Sequence, residues 1–438
     1  MAAGINNSAN SSTDVHQNGS EEVEIDILED WELKPECCIY KVPIDLRKKN
    51  NEAYTPQVIS IGPLHHGKKN LKDMQKQKKR YKHIFNERRG NEKLVEMKCY
   101  IRNQEKKIRY CYEQPSSLKS DSFVNMILDD TVFIIELFLR HYWNVDDFLL
   151  EKPRYRNSIK RDLQLLENQL PYFVLNELYM SAIKGFYSGP YKGSANTDPP
   201  SFLHISCYYF GYKSYDISKM VGVKHFTDLR RYVLMQKRPT SETPEKVVDL
   251  LCATKLDKSG VSFKHVKNED RLLDLKFLTS KRGSILPFWK KYELQIPRIM
   301  VNDWTEVLIR NVMALEQCHY PKETHVCNYI AFMDFLINTE KDADLLIEKG
   351  IIVNCLGEDA AIAKMFNGFC LQTSTSPSCF YDMAKDLRNH YESTYHKAKA
   401  SLKSVYFSDP WKGTGTVVGI TILLLTAVNT IYSIQRWV

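Results

Sequence analysis

The sequence lacks the motifs by which hydrolases are commonly recognised. Its 438 residues contain no G-x-S-x-G nucleophile elbow and no zincin-type H-E-x-x-H. These motifs hold a nucleophile on a strained turn or a metal on one face of a helix, so their absence removes positive support for such catalysis. We therefore predict no catalytic, cofactor-binding or metal-binding residue from motifs alone.

The start of the chain lacks a secretory signal. Residues 1–20 have neither a basic n-region nor an apolar h-region, so we expect nothing there to direct the chain into the secretory pathway. These polar residues are followed by an acidic stretch. We predict that residues 1–36 form a disordered, solvated leader, because such a composition cannot bury a core.

Cysteines are too scattered for a disulfide framework. The chain has 11 of them, an odd number, and only Cys37 and Cys38 are adjacent. Small secreted proteins instead carry dense, regularly spaced cysteines. We expect most of the thiols to be reduced and buried. No strong linker divides the chain, and residues 37–410 are predicted to form one large domain.

Charge is missing from one long C-terminal run. Residues 414–434 read TGTVVGITILLLTAVNTIYSI. At about 1.5 Å per residue they make a helix of roughly 30 Å, the thickness of the hydrocarbon layer of a membrane. The sequence predicts a transmembrane helix over 413–435, with Thr414 and Ile434 at the ends of the uncharged run. A buried core helix is the alternative.

The residues of this span and its flanks also predict a partner and an orientation. Gly415 and Gly419 form a G-x-x-x-G motif, which permits close pairing of two spans in a homodimer. The flanking lysines are Lys397, Lys399, Lys403 and Lys412 before the span, against Arg436 after it. This asymmetry predicts a single-pass protein with the bulk of the chain in the cytosol, without distinguishing plasma membrane from endomembrane.

Positive charge is concentrated in residues 68–109. This stretch has 16 Lys or Arg against 5 Asp or Glu, an excess larger than the net charge of +8 of the whole chain. Apolar residues recur at helical intervals, which predicts a helix with a basic face. Such a face favours anionic lipid or an acidic protein, and no nucleic acid is expected for a tethered domain. A plain solvated face is the favoured interpretation, with lipid or protein binding as the alternative.

Helical spacing dominates the remaining chain. Residues 123–138 are apolar nearly all round, which predicts a central buried helix. Leucines between 163 and 170 predict another helix, which Pro171 should end or kink, and Asp303 with Glu306 predicts a capping box. The period changes to two between 261 and 297. We predict a mainly α protein with a small antiparallel β-sheet (α+β): a large helical domain plus one C-terminal transmembrane helix.

Residues 62–69, GPLHHGKK, have the G-x-x-x-x-G-K spacing of a phosphate-binding loop. However, Lys69 stands where Ser or Thr would hold magnesium, and no parallel-sheet pattern precedes the loop. A rigid turn that leads into a helix is the favoured interpretation, with His65 and His66 bonded to backbone groups.

Two further groups of side chains are candidate functional sites. Cys318-His319 and His325-x-Cys327 offer four zinc ligands on either side of a turn, but their spacing is irregular and helix-end packing is favoured. The second group is Asp129, Asp130 and Glu136 on the most apolar predicted helix, where burial would raise the pKa of a general acid. Glu136 can pair with Arg140, and the two aspartates could point outward.

Seven segments follow one another in an order shared with a known family. They are CIYKVP (38–43), YTPQVISIGPLHHGKK (54–69), FIIELF (133–138), LLENQLPYFVL (165–175), TEVLIRNVMALEQCHY (305–320), YIAFMDFLINTEKDADLLIEKGII (329–352) and YFSDPWK (406–412). They resemble the plant "domain of unknown function 247" family. Asp130-Thr131 stand where the family usually has Gly-Cys, and Lys255 replaces a usual Glu. The resemblance implies a plant membrane protein with one C-terminal span, and some grass relatives are associated with pollen self-incompatibility.

The resemblance supplies no catalytic residue, and it singles out polar positions as the candidate site. These are His65, His66, Glu167, Asn168, Gln169, Asn311, Glu316 and Gln317. We expect them chiefly to bond buried backbone groups at helix ends. The favoured function is a membrane-tethered recognition or signalling module that binds an unidentified protein. The alternatives are an uncharacterised enzyme with a Glu/His/Asn pocket in the helical domain and an anionic-lipid-binding protein.

Overall fold

A computed structural model describes residues 34–183, 200–212, 220–242, 244–266, 271–280, 291–371, 373–393 and 410–435. Nearly all of the predicted leader lies outside these residues. The helices are α1 (Ile44–Lys49), α2 (Lys72–Arg89), α3 (Asn91–Asn103), α4 (Glu105–Tyr110), α5 (Ser120–Tyr142), α6 (Phe148–Glu151), α7 (Pro153–Asp162), α8 (Tyr172–Ile183), α9 (Phe202–Phe210), α10 (Phe226–Leu234), α11 (Ala253–Lys258), α12 (Asp303–His319), α13 (His325–Leu336), α14 (Glu340–Glu348), α15 (Asp359–Phe369), α16 (Tyr381–Glu392) and α17 (Pro410–Gln435). The strands are β1 (Val261–Val266), β2 (Lys276–Ser280), β3 (Lys291–Pro297), β4 (Ile299–Val301) and β5 (Ile352–Asn354). The fold is mainly helical with a small sheet, as the sequence predicts.

Two large hydrophobic cores organise the described body. The first surrounds α5, whose side chains from Phe123 to Leu139 are almost all buried, as predicted for the central helix. Helices α2, α3, α8 and α9 contact α5 and cover it. The second core joins α11 to α16 with the β-strands. A small third cluster, which includes Tyr54, Leu166 and Leu315, lies between them.

The three-stranded sheet is mixed. β2 pairs antiparallel with β3, with Phe277 opposite Leu294, as the period of two predicts. β1 pairs with the other edge of β3 in parallel, with Phe263 opposite the same Leu294, so the purely antiparallel prediction was wrong for this strand. Alternation identifies the residues of a strand that share a face, but it does not specify the direction of the neighbouring strand. β4 and β5 form a second, parallel pair.

The helix predicted around Leu163 to Leu170 does not form. α7 ends at Asp162 and α8 begins at Tyr172, and residues 163–171, the junction loop, are irregular although most of them are buried. A buried loop must find partners for its backbone groups without a helical ladder. The leucines of this loop have nearly helical spacing, but they pack into two different hydrophobic clusters. Leu163 and Leu170 belong to the first core, and Leu166 belongs to the small third cluster.

The start of α12 differs from the prediction by one residue. Asn302, not Asp303, is the N-cap: its side-chain oxygen accepts from the amides of Trp304 and Thr305 at 3.0 and 3.2 Å. The Thr305 hydroxyl completes the box by accepting from the Asn302 amide. Glu306, the predicted partner in the box, instead accepts from Nε of Arg310 at 2.7 Å.

Candidate functional site

Most of the predicted site residues meet where the two large cores adjoin. We call the following residues the junction cluster: His65, Glu167, Asn168, Gln169, Asn311 and Glu316, all of which are buried. His65 precedes α2, the next three belong to the junction loop, and the last two lie on α12. His66 is exposed and outside the cluster. Gln317 is also outside it and bonds the backbone of Ser374 in both directions.

Asn168 and Gln169 supply the bonds that a helix would otherwise have given the junction loop. Asn168 accepts from the amide of Ile61 at 2.6 Å and donates to the carbonyls of Ile59 and Asp162. Gln169 donates to two carbonyls of its own loop and accepts from the amide of Phe226 at 2.9 Å, at the start of α10. Each amide side chain therefore uses both donor and acceptor on backbone groups, as predicted.

Glu167 connects three segments of the first half of the chain. Its carboxylate accepts from the Val42 amide at 2.8 Å, pairs with Arg47 at 2.6 Å and lies 3.1 Å from Nε2 of His65. Burial acts to raise the pKa of Glu167, but the bonds from His65, Arg47 and Val42 outweigh it and leave the pKa lowered. His65 was expected to bond backbone and instead faces this carboxylate.

Asn311 and Glu316 extend the cluster from α12 to other elements. Asn311 accepts from the Leu166 amide at 2.9 Å and donates to the Ala53 carbonyl at 2.8 Å. Glu316 is bonded by Nε of Arg231 at 2.9 Å, and it accepts from the first amides of α13 at 3.1 and 2.9 Å. Arg231 is itself buried on α10 and lies over the Tyr320 ring at 3.8 Å. Burial raises the pKa of Glu316 in spite of these partners.

Two further buried residues, Asp162 and His225, also accept hydrogen bonds from backbone amides, and they were not predicted from the sequence. Asp162, the last residue of α7, accepts from the amides of Gln57, Val58 and Ile59 at 3.0, 2.7 and 3.0 Å. His225 caps α10: its Nδ1 accepts from the Asp228 amide. The signals were present, because a polar residue directly before or after an amphipathic run is a capping candidate. Neither residue lies in a repeated or recognisable motif.

The close approach of the chain at Gly62 explains the glycine of the GPLHHGKK turn. Gly62 has a φ of +72°, and a Cβ there would lie 2.4 Å from the carbonyl oxygen of Gln169. Its amide donates to the Asp130 carboxylate at 2.8 Å. An acidic group therefore occupies the place where this loop would cradle a phosphate, and the segment is a turn that leads through a short 3₁₀ helix into α2.

The four Cys and His side chains that were the disfavoured zinc candidates have separate surroundings. His319 Nδ1 lies 2.8 Å from the Tyr40 hydroxyl. Cys327 is buried, and its sulfur lies 3.4 Å from the side-chain nitrogen Nε2 of Gln317. Among the described residues, no group of three or more His, Cys, Asp or Glu side chains has the geometry to hold a metal ion.

The basic stretch is helical, and three of its cations are directed inward toward α5. Lys78 is fully buried and pairs with Asp130 of α5, which therefore does not point outward. Lys82 pairs with Asp129 at 2.6 Å, and Arg88 pairs with Glu136. Asp129, Asp130 and Glu136, the candidate general acids, are thus paired with three cations of α2, the basic helix that covers α5. Other cations, including Lys72, Lys79 and Arg80, remain exposed.

These contacts give the predicted residues a structural role. The amide groups of the junction cluster are committed to backbone, and its carboxylates are committed to Arg47, His65, Arg231 and backbone amides. A general base or nucleophile needs a face that is open to substrate. In the described part of the chain, no residue of the cluster lines either of the two cavities beside α7 and α9.

The last helix has a different character from the body. α17 runs from Pro410 to Gln435. Its segment Thr414–Tyr432 has a mean hydropathy of 1.8, and none of this segment is buried in the described part of the chain. By length and composition this segment is long and apolar enough to cross a membrane. Most of its side chains are Val, Ile, Leu and Ala, and the remainder are two Gly, five Thr, Tyr432 and Asn429.

Fold and site define the class: a helical protein whose two cores are joined by side chain–backbone bonds, followed by an exposed apolar helix. The chain belongs to the plant domain of unknown function 247 family, described as plant proteins of unknown function, whose profile matches residues 39–425. It is 28% identical to UPF0481 protein At3g47200 of Arabidopsis thaliana, over 92% of this chain and 87% of the relative. It is 21% identical to Putative UPF0481 protein At3g02645 of the same plant, over 89% of each chain. No solved structure matches the chain.

Proposed function

We propose that this protein is a membrane-tethered recognition protein, held by α17, whose helical body binds a partner protein at the cytosolic face. One observation carries the proposal: Thr414–Tyr432 is uncharged, has a mean hydropathy of 1.8 and buries none of its surface in the described chain. Apolar surface left in water costs about 25 cal/mol per Å². A long, uncharged and mainly apolar helix that lies against no core is therefore most stable in lipid.

The polar groups within α17 support this proposal. The hydroxyls of Thr421, Thr426 and Thr430 donate to carbonyls four residues earlier at 2.9, 2.7 and 2.8 Å. Hydroxyls bonded in this way need no water, as is required inside a bilayer. A Cβ at Gly415 or Gly419 would meet nothing in a single copy. The helix thus leaves room for a second copy, which is the proposed homodimer contact.

Charge supports the orientation and a secondary contact with lipid. The lysines before the span outnumber the single arginine after it, which favours a cytosolic body. The exposed cations Lys72, Lys79 and Arg80 of α2 would each add about 1 kcal/mol of attraction if they approach an anionic leaflet. This contact would assist the anchor and is too weak to replace it.

Proximity labelling in living plant tissue tests the recognition role. The labelling enzyme is fused to the N-terminus of the full chain. The matched control keeps residues 410–438 and replaces 1–409 with an unrelated soluble protein. We expect the full chain to label a reproducible set of neighbours at the cytosolic membrane face that the control does not label. If the two sets are identical, the body recognises nothing and the proposal is wrong.

A further inference from the structure

A cavity of about 870 Å³ opens along α7 and α9, beside the C-terminal end of α5. Its basic residues are His141, Arg156, Lys160 and His204, and its aromatic residues are Tyr208, Tyr209 and Tyr212. A second cavity of about 290 Å³ adjoins it and shares Lys160 and Tyr212, adding Arg161 and Arg230. The volume of the first lies in the range typical of small-molecule sites.

Cations on these walls are not balanced by acidic groups. No Asp or Glu of the described chain lines either cavity. Arg161 is neutralised by Asp162 at 2.9 Å. Arg156, Lys160 and Arg230 have no carboxylate within ion-pair distance among the residues that the structure describes.

Lys160 shows the effect of this imbalance. Burial, and then the neighbouring charges of Arg230 and Arg156, lower its pKa to about 8. The two arginines therefore act on the same ammonium group from α10 and from α7. A cation held close to two others in a partly buried place is stabilised by any anion that reaches it.

A buried donor without a partner lies in the same wall. Tyr209 is 2% exposed, and its ring is stacked on Phe138 at 4.3 Å, so it is fixed in place. Its hydroxyl makes no hydrogen bond within the described part of the chain. Buried hydroxyls nearly always have a partner in native proteins, so this donor is available to a group that binds at the cavity wall.

We propose that this cavity binds a small organic anion, whose carboxylate or phosphate group is held by Lys160 between Arg156 and Arg230 and whose flat apolar part lies against the tyrosines. Guanidinium groups hold such oxygens in pairs, and aromatic rings favour offset stacking. The cations provide the selectivity for charge, Tyr208 and Tyr212 provide the apolar contact, and the hydroxyl of Tyr209 donates to the bound anion. This inference goes beyond the proposed tethering and does not depend on α17.

Calorimetric titration of the full chain in an uncharged detergent tests the inference. The probes are 2-naphthyl phosphate, 2-naphthoate, uncharged 2-naphthol and inorganic phosphate. We expect one or both of the aromatic anions to bind at least about tenfold more tightly than 2-naphthol and inorganic phosphate, because only they use the cations and the rings together. Absence of binding by both aromatic anions up to about 1 mM, or equal binding of 2-naphthol, overturns the inference.

Three variants distinguish the site from a structural role. Lys160→Met should weaken binding of the aromatic anion by about tenfold. Arg154→Met is the control, because Arg154 is an exposed cation of the same helix that lines neither cavity, and binding should be unchanged. Tyr209→Phe should weaken binding without lowering the melting temperature of the free protein, since the hydroxyl has no partner to lose. Unchanged binding in both Lys160→Met and Tyr209→Phe overturns the proposal.

Discussion

The chain with Glu316→Leu is expected to lose about 3–5 kcal/mol of its free energy of unfolding, as is usual when one partner of a buried ion pair is removed. Arg231 would keep its charge in a place where only 2% of the residue is exposed. The amides of Val326 and Cys327, at the start of α13, would lose their acceptor. Chemical denaturation of the detergent-solubilised full chain, followed by circular dichroism, measures the loss.

Glu323→Leu is the matched control, because its carboxylate faces the same guanidinium. It lies 3.9 Å from Nη2 of Arg231, but the Glu323 side chain is 62% exposed. An exposed pair contributes at most about 1 kcal/mol, so this variant should be close to the parent. The double variant Arg231→Leu/Glu316→Leu should recover part of the stability, since no unpaired charge remains. Equal, small losses in the two single variants would contradict the assignment of Glu316.

The second large effect is a loss of stability in mild acid that depends on His225. The ring is fully buried, with Nε2 at 2.9 Å from the Cys38 carbonyl and Nδ1 accepting from Asp228, which together define the neutral tautomer. Burial lowers its pKa from 6.5 to about 3, with a further contribution from His319, against the bond to Cys38. Between pH 6.5 and about 3, the unfolded chain therefore binds a proton at His225 that the folded chain does not bind. Stability should be complete above pH 6.5 and decrease by about 1.4 kcal/mol per pH unit as the pH falls toward 3.

Variants at two histidines measure this proton directly. His225→Asn keeps a favourable N-cap for α10 but does not titrate, so the slope of stability against pH should decrease by one proton between pH 6.5 and 3. His325, whose pKa burial lowers to about 4, should contribute a second proton over a narrower window, and His325→Asn should remove it. If His225→Asn and the parent show the same slope, His225 is not held neutral in the folded chain.

The sequence predicted those parts of the fold that depend on local pattern. α5 was recognisable because its apolar residues surround the helix, and α17 because residues 414–434 contain no charged side chain. The junction loop was mistaken for a helix because buried leucines have similar spacing in both. Its irregular backbone is stabilised by Asn168 and Gln169, whose partners near Ile59 and Phe226 are distant in sequence.

The candidate site could be predicted only as a set of polar positions. Their backbone-binding role followed from residue type, since Asn and Gln both donate and accept. The pairing of Glu316 with Arg231, 85 positions apart, could not be predicted, because a single sequence does not reveal which helices are in contact. For the same reason the inward direction of Lys78 was missed, although its helix was predicted. The cavity beside α7 was invisible because its residues come from separate helices.

Membrane retention of the intact protein is the measurement that tests the central claim most directly. Microsomes from tissue that expresses the full chain are extracted with alkaline carbonate and separated by centrifugation. The parent, and the control Leu423→Ile/Leu424→Ile, should remain in the pellet. Leu423→Lys/Leu424→Lys should move to the supernatant, because each lysine near the centre of a span costs about 2.5–3.5 kcal/mol. Release of the parent chain into the supernatant would contradict the proposed tether.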